Sequence, residues 1–215
     1  IIEYIKSVFP ESAFLAEESG KSGVPEKGQV RWIIDPLDGT VNFAHALPIF
    51  CVSIAAELDG EIVCGVIYQP VNNELFYAAK GQGAFLNGEP IHVSSCDDIK
   101  GGFLVTGFPY NVSDNPDNCV EVFINIIRSG IPVRRLGSAA MDLAYVACGR
   151  FDGFWEVELN PWDVAAGWIL VEEAGGKVSS FDLSCYKIGS ETILATNGLI
   201  HESASSMITN CCKIK

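Results

Sequence analysis

The segment 32–40 constrains the fold more than any other, because an apolar run there ends in two aspartates three residues apart. The run contains two β-branched isoleucines and predicts a buried strand. Pro36 lacks a backbone donor and keeps the preceding residue extended, so we expect the strand to end there. Gly39 permits a tight turn, and Thr40 offers a hydroxyl where a helical turn can begin. The segment therefore predicts carboxylates for a metal ion and free N–H groups for a phosphate at the mouth of a sheet.

A plainer interpretation is that Asp35 and Asp38 only cap backbone groups. Asp-Pro and Asp-Gly are common turn dipeptides, and each taken singly favours that interpretation. Two acids this close would repel each other, however, and a bound divalent cation is the simplest way to keep both ionised. The pair thus favours a metal site over a simple turn.

Length and composition indicate a single well-packed globular domain. The 215 residues are 48% hydrophobic and 19% charged, and we predict one catalytic domain over 1–215 with sub-parts at about 1–98 and 99–215. The formal charge of −13 argues against a surface that binds nucleic acid directly. The apolar run 46–58 is too short to span a bilayer, so no membrane association is expected.

The eight cysteines show no CxxC motif and no cysteine–histidine spacing typical of a metal site. Several lie within apolar stretches, where a free cysteine packs as a small hydrophobic side chain. They predict reduced thiols in a cytoplasmic protein, and not a disulfide framework. The adjacent pair Cys211 and Cys212 is interpreted as a chance feature of a helix face.

In the first half, apolar spacing predicts a helix over 1–8 that Pro10 ends, then a short strand over 14–16. Residues 19–29 are rich in Gly, Lys, Ser and Pro and predict an exposed loop. Asp59-Gly60 is the strongest hairpin signal of the chain. Residues 31–93 therefore predict an antiparallel meander, with strands at 49–58, 61–68 and 74–79.

The second half alternates between strands and helices, which predicts a mixed α/β layer arrangement. Helices are expected at 120–127, 138–148, 161–174 and from 199 onward. Strands are expected at 103–106, 133–135, 154–155, 177–179 and 192–196. The fold class is thus α/β, an α+β layered sandwich.

A second acidic motif follows at 160–167. Asn160 as N-cap and Pro161 in the first helical position are typical of a helix start. Asp163 then lies in the first turn, where an acid interacts favourably with the helix dipole. That structural explanation is complete by itself, so this motif leaves a catalytic function open.

Three motifs together resemble the inositol monophosphatase family of magnesium-dependent, lithium-sensitive sugar phosphatases. They are Ala-Glu-Glu-Ser at 16–19, Asp-Pro-Leu-Asp-Gly-Thr-Val-Asn-Phe at 35–43 and Trp-Asp-Val-Ala-Ala-Gly at 162–167. Smaller matches at 81–88 and 136–140 agree in order and spacing. The resemblance implies the layered sugar phosphatase fold, which is usually a homodimer.

The resemblance also implies roles for particular residues. The metal ligands, for two or three Mg²⁺ ions, would be Glu17, Asp35, the Leu37 carbonyl, Asp38 and Asp163. The phosphate and the sugar side of the substrate would be bound by Gly39, Thr40, Gly137, Ser138, Ala139, Glu156 and Asp163. In the family an acid upstream of the first helix helps the threonine at position 40 to orient the attacking water. That acid would precede Ile1, so we expect the natural protein to extend N-terminally by tens of residues.

The chemistry expected is hydrolysis of a small phosphorylated polyol, with myo-inositol monophosphate as the first expectation. Carboxylate ligands without histidine or cysteine favour Mg²⁺ over Zn²⁺ or Cu²⁺. Fructose-1,6-bisphosphatase, 3′-phosphoadenosine nucleotide phosphatase and histidinol phosphatase activities stay open as alternatives within the family. A regulatory protein that binds the transcription machinery is the alternative from another class.

Overall fold

The computed structural model describes residues 1–212, with side chains as far as Asn210. The first half contains α1 (Ile2–Val8), β1 (Ala13–Ala16), β2 (Gly20–Ser22), β3 (Val30–Asp38), α2 (Thr40–Ala44), β4 (Cys51–Leu58), β5 (Glu61–Gln69), β6 (Glu74–Ala79), β7 (Gly83–Leu86) and β8 (Glu89–Ile91). The strands form one sheet in the order β2-β1-β3-β4-β5-β6-β7-β8, antiparallel except for the β1–β3 pair. The predicted meander is confirmed from β3 onward.

Two-residue turns explain why this meander folds locally. Asp59 and Gly60 both have positive φ angles, of 51° and 87°, as the turn between β4 and β5 requires. Asn87 and Gly88 repeat the arrangement between β7 and β8, with φ angles of 51° and 92°. Asparagine, aspartate and glycine tolerate this left-handed conformation, so the register of the hairpins is set by the sequence itself.

Two expectations for this half were wrong. β3 does not end before Pro36 but continues to Asp38, and its pairing with β4 shifts register between Asp35 and Asp38. Such an irregularity leaves residues unpaired, so the missing donor of Pro36 costs no ladder hydrogen bond. The predicted loop at 19–29 contains the short strand β2, whose three residues are all exposed and pair with β1.

The second half contains β9 (Leu104–Thr106), α3 (Cys119–Arg128), β10 (Val133–Arg134), α4 (Ala139–Ala147), β11 (Gly153–Val157), α5 (Pro161–Glu173), β12 (Lys177–Ser179), β13 (Thr192–Thr196) and α6 (His201–Cys212). These strands form a second, mixed sheet in the order β10-β9-β11-β13-β12. Every helix and strand predicted for this half is present, with ends shifted by one or two residues.

The elements stack in layers. Helices α4 and α5 pack against each other and lie between the two sheets, while α3 and α6 pack together beside the second sheet. Gly65 of β5 permits the close approach of β5 to α5, and Gly167 of α5 permits the close approach of α5 to α4. A Cβ atom on Gly65 would lie 2.8 Å from the Cα of Ala166, and one on Gly167 would lie 2.4 Å from the Cβ of Leu143. The layered α/β fold is thereby confirmed.

Helix α1 covers part of one face of the first sheet, over β1 and β3. Ile5 packs against Phe14 and Ile34, but Ile1 and Val8 are 50% and 55% exposed. The apolar face predicted for this helix is therefore packed on the sheet at Ile2 and Ile5 and open to solvent at Ile1 and Val8. Among the described residues, no helix is long and apolar enough to cross a membrane, and the six described cysteines are free thiols. The side chains of Cys211 and Cys212 lie outside the described residues.

Candidate active site

A cavity of about 650 Å³ opens where the end of β3 faces the N-termini of α4 and α5. The structure brings every site residue predicted from the sequence to its wall. These are Glu17, Asp35, Leu37, Asp38, Gly39, Thr40, Gly137, Ser138, Ala139, Glu156 and Asp163. Residues from both halves of the chain thus share one cavity.

The end of β3 is shaped by hydrogen bonds within the segment itself. Asp35 is buried, and its Oδ1 accepts a hydrogen bond from the Leu37 N–H at 2.8 Å. Gly39 has a φ of 89°, and a Cβ there would lie 2.8 Å from the Ile49 carbonyl oxygen, so only glycine fits. Helix α2 begins at Thr40, whose hydroxyl donates to the Leu37 carbonyl at 3.0 Å. The segment is therefore a fixed turn that presents its side chains to the cavity.

Asp38 joins the first sheet to helix α4. Its Oδ2 accepts hydrogen bonds from the Ser138 hydroxyl at 2.7 Å and from the Ala140 N–H at 2.8 Å. The second bond satisfies one of the free backbone donors at the N-terminus of α4. The Sγ of Cys51 lies 3.8 Å from the same oxygen. Asp38 consequently holds the two halves in register at the cavity wall.

Asp163 has the capping function that the sequence indicated. Its Oδ2 accepts a hydrogen bond from the Asn160 N–H at 2.7 Å, and the two residues form a capping box at the start of α5. It nevertheless lines the cavity. Asp163 can therefore cap helix α5 and also face the cavity, so the capping role does not exclude a role in catalysis.

The cavity carries a strong excess of negative charge. Seven carboxylates line it, namely Glu17, Asp35, Asp38, Asp142, Glu156, Glu158 and Asp163. Of the described residues at its wall, Arg135 alone is basic. The pKa of Asp35 is raised to about 8, mainly by burial and in addition by the neighbouring Asp38 and Glu17. The pKa of Asp163 is likewise raised to about 7, mainly by burial and in addition by Asp38 and Glu17.

The carboxyl oxygens at the cavity wall are ligands of the kind that hard divalent cations prefer. Oxygen ligands without imidazole or thiolate suit Mg²⁺, and its charge would relieve both the burial cost and the mutual repulsion of the acids. Within residues 1–212, no three His, Cys, Asp or Glu side chains already form a metal-binding cluster. The acids therefore surround the cavity and would have to turn toward a common ion.

Comparison with known proteins agrees with this geometry. The model of the inositol monophosphatase family matches residues 1–212. The chain belongs to the inositol monophosphatase family. It is 48% identical over 208 residues to the inositol-1-monophosphatase of Synechocystis sp.. The matched region covers 97% of this chain and 72% of the relative.

Several other relatives are named Nus factor SuhB and not inositol-1-monophosphatase. The Nus factor SuhB of Escherichia coli strain K12 is 46% identical over 181 residues, covering 84% of this chain and 67% of the relative. Among solved structures, the inositol monophosphatase from Anabaena (Nostoc) sp. PCC 7120 matches with a TM-score of 0.93 at 49% identity. That match covers 97% of this chain and 82% of the solved chain.

Sequence reasoning gave no role to three residues at this family member's cavity. Asn42 is buried, and its Nδ2 donates to the carbonyls of Ile49 at 2.8 Å, Leu136 at 2.8 Å and Gly137 at 3.3 Å. Arg135 belongs to none of the motifs found in the sequence, yet it lies at the cavity wall. Asp142 was overlooked, although it stands three residues after Ala139 and therefore on the same face of α4. That spacing was the available signal.

Proposed function

We propose that this protein is a Mg²⁺-dependent phosphomonoesterase that hydrolyses a small polyol or sugar phosphate, with myo-inositol monophosphate as its substrate. The observation that carries the proposal is the acidic cavity next to the Gly39–Thr40 turn. A phosphate ester bears negative charge, so it can enter a cavity lined by seven carboxylates only if cations accompany it. Family membership supports the phosphatase activity, and the substrate is the part that we add.

Glu17, Asp35, Asp38, Asp163 and the Leu37 carbonyl would hold two or three Mg²⁺ ions. When bound, such ions lower the pKa of a coordinated water and neutralise charge on the phosphoryl oxygens. Phosphoryl transfer depends mostly on positioning and charge neutralisation, so no side-chain nucleophile is required.

The chain's own groups would orient the substrate around that centre. The backbone N–H groups of Gly39 and Thr40 stand at the start of α2 and would donate to phosphate oxygens. The turn at Gly137, Ser138 and Ala139 would contact the polyol, because Asp38 fixes Ser138 beside the acids. Glu156, buried on β11, would bind hydroxyl groups of the substrate.

A phosphate-release screen tests this proposal and separates the alternatives. The panel contains myo-inositol 1-phosphate, fructose 1,6-bisphosphate, 3′-phosphoadenosine 5′-phosphate and histidinol phosphate, each with Mg²⁺ and with EDTA. We expect Mg²⁺-dependent release that is fastest from inositol phosphate. Faster release from another member of the panel would replace the substrate, and release that EDTA leaves unchanged would contradict the metal mechanism.

A second candidate function rests on the relatives named Nus factor SuhB, which are 45% to 47% identical to this chain. Under this candidate, the protein would bind the transcription machinery, alone or in addition to its phosphatase activity. Its formal charge of −13 favours a basic protein partner over RNA. A pull-down with purified transcription complexes, run beside the phosphate assay on the same preparation, separates the two functions.

The remaining expectations are a homodimer located in the cytoplasm. Two exposed apolar side chains at the ends of α1, those of the N-cap residue Ile1 and of Val8, are available for contact with a second copy or with another segment. Sedimentation equilibrium would distinguish a dimer of twice 23.2 kDa from a monomer.

A further inference from the structure

Asp142 is a buried acid, and one of its carboxyl oxygens lacks a hydrogen-bond partner among the described residues. It is 1% exposed, and its Oδ1 has no hydrogen-bond partner among the described residues. Leaving a buried polar atom unpaired costs on the order of 1–3 kcal/mol, so natural proteins retain such groups for a reason. Asp142 lines the cavity. Its Oδ1 is itself closed to solvent, so a partner in the cavity reaches this atom when the side chain rotates toward it.

Glu156 faces the same part of the cavity from β11. It is 7% exposed, and its charge raises the pKa of Asp142, second only to burial. Gly107, just after β9, leaves space for the Glu156 carboxylate. A Cβ there would lie 2.3 Å from both of its oxygens, so any larger residue would displace the Glu156 side chain. Gly107 therefore acts as a positioning residue for Glu156.

We propose that Asp142 is a specificity-determining residue, which binds a hydroxyl group of the substrate's polyol part together with Glu156. The inference rests on the proposed phosphatase function and assigns this pair of acids to the leaving group, away from the phosphate. A hydroxyl group both donates and accepts a hydrogen bond. One such group placed between the two carboxyls would satisfy the unpaired Oδ1 of Asp142.

The electrostatics of the pair favour a neutral hydroxyl over a cation. Burial raises the pKa of Glu156 to about 8 and that of Asp142 well above its usual range. A carboxylic acid without charge can donate as well as accept, which matches a hydroxyl group. A substrate ammonium group would instead need at least one ionised partner, so it is the competing occupant that the test must separate.

The experiment compares two substrates in Asp142→Ala and in wild type. myo-Inositol 1-phosphate has hydroxyl groups around its ring, and p-nitrophenyl phosphate has none. We expect KM for the inositol phosphate to rise about 10- to 100-fold in Asp142→Ala, while kcat/KM for the aryl phosphate changes less than about threefold. Asp142→Asn keeps a donor and an acceptor in place and should lose less than about fivefold.

Two further variants separate recognition from folding and charge. Gly107→Ala should reproduce the change in substrate preference, because it moves the Glu156 carboxylate without altering either acid. Asp182→Asn removes an exposed charge away from the cavity and should alter neither substrate. Thermal unfolding is recorded for each variant. If Asp142→Ala does not fold, Asp142→Ser serves as the truncated variant.

Each outcome decides the matter. Equal losses on both substrates, or no loss on either, would overturn the assignment of Asp142. A preference for histidinol phosphate that Asp142→Ala removes would replace the hydroxyl by an ammonium group. If wild type releases phosphate from nothing, the proposed function fails, and calorimetric binding of myo-inositol 1-phosphate decides instead. Binding at least about tenfold weaker in Asp142→Ala supports the inference, and equal or absent binding overturns it.

Discussion

The Asn42 side chain ties the two halves of the chain together, and its replacement by aspartate should be severely destabilising. Asn42 donates through Nδ2 to carbonyl oxygens of both halves of the chain, those of Ile49, Leu136 and Gly137. Because all three neighbours are acceptors, the nitrogen and not the oxygen of the amide must face them. Asn42→Asp keeps the shape and replaces the donor by a charged acceptor.

The magnitude follows from those contacts. The amide has two protons, and losing both buried hydrogen bonds costs about 2–3 kcal/mol, the expectation for Asn42→Ala. The aspartate adds an unpaired buried charge against carbonyl oxygens, which brings the loss to about 4–5 kcal/mol. For a chain of this length, a loss of 4 kcal/mol lowers the melting temperature by about 8–16 °C.

Urea titration and thermal unfolding at pH 7 measure this effect. Asn111→Asp is the matched control, since Asn111 lies exposed at the cavity rim and gains the same charge without losing a buried contact. The expected order of stability is wild type, Asn111→Asp, Asn42→Ala and then Asn42→Asp. An Asn42→Asp protein as stable as Asn111→Asp would refute the idea that these hydrogen bonds join the halves.

Three further predictions concern the metal acids, the packing of α5 and a buried histidine. Asp35→Asn should leave the unfolding curve nearly unchanged but lower kcat at least about 100-fold, as loss of several kcal/mol of metal-assisted catalysis requires; near-normal turnover would remove Asp35 from the mechanism. Gly65→Ala should cost about 1–3 kcal/mol of stability in urea, because its Cβ would lie 2.8 Å from the Ala166 backbone; an unchanged midpoint would mean that β5 and α5 separate easily. His201 is buried between the Ser179 and Thr196 hydroxyls, and burial lowers its pKa from 6.5 to about 4. Unfolding then takes up a proton at His201 below pH 6.5, so the contribution of this residue to the free energy of unfolding should fall by about 3 kcal/mol from pH 6.5 to 4. Urea titrations at both pH values should show the stability of wild type relative to His201→Gln falling by that amount, and an unchanged difference would contradict the prediction.

Local signals explain the parts of the fold that the sequence predicted well. The Asp59-Gly60 turn and the Asn160-Pro161 helix start each depend on residues adjacent in the chain, so no tertiary contact was needed to find them. The assembly of the predicted site residues around one cavity is different. Resemblance to the family indicated it, and neither periodicity nor spacing alone could have brought Glu17 and Asp163 to the same wall.

The failures share a physical cause, since each depends on contact with another strand or helix and not on the residue pattern of the segment itself. Strand β2 has three exposed residues with no alternation, and it exists because β1 offers an edge to pair with. The continuation of β3 past Pro36 depends on the register shift against β4. Asp142 looks like an ordinary polar position of a helix until β11 brings Glu156 opposite to it.

The cavity wall is built from two kinds of backbone. Its acids come from or adjoin strands and helices that are tied into the core, whereas the rim from Phe108 to Asn111 is irregular chain beyond β9, with Tyr110 98% exposed. A substitution or insertion in that rim breaks no sheet pairing and leaves Asp38 bound to helix α4. Reaction chemistry and substrate fit can therefore diverge independently over evolutionary time, with the rim free to drift toward new leaving groups while the acids are preserved.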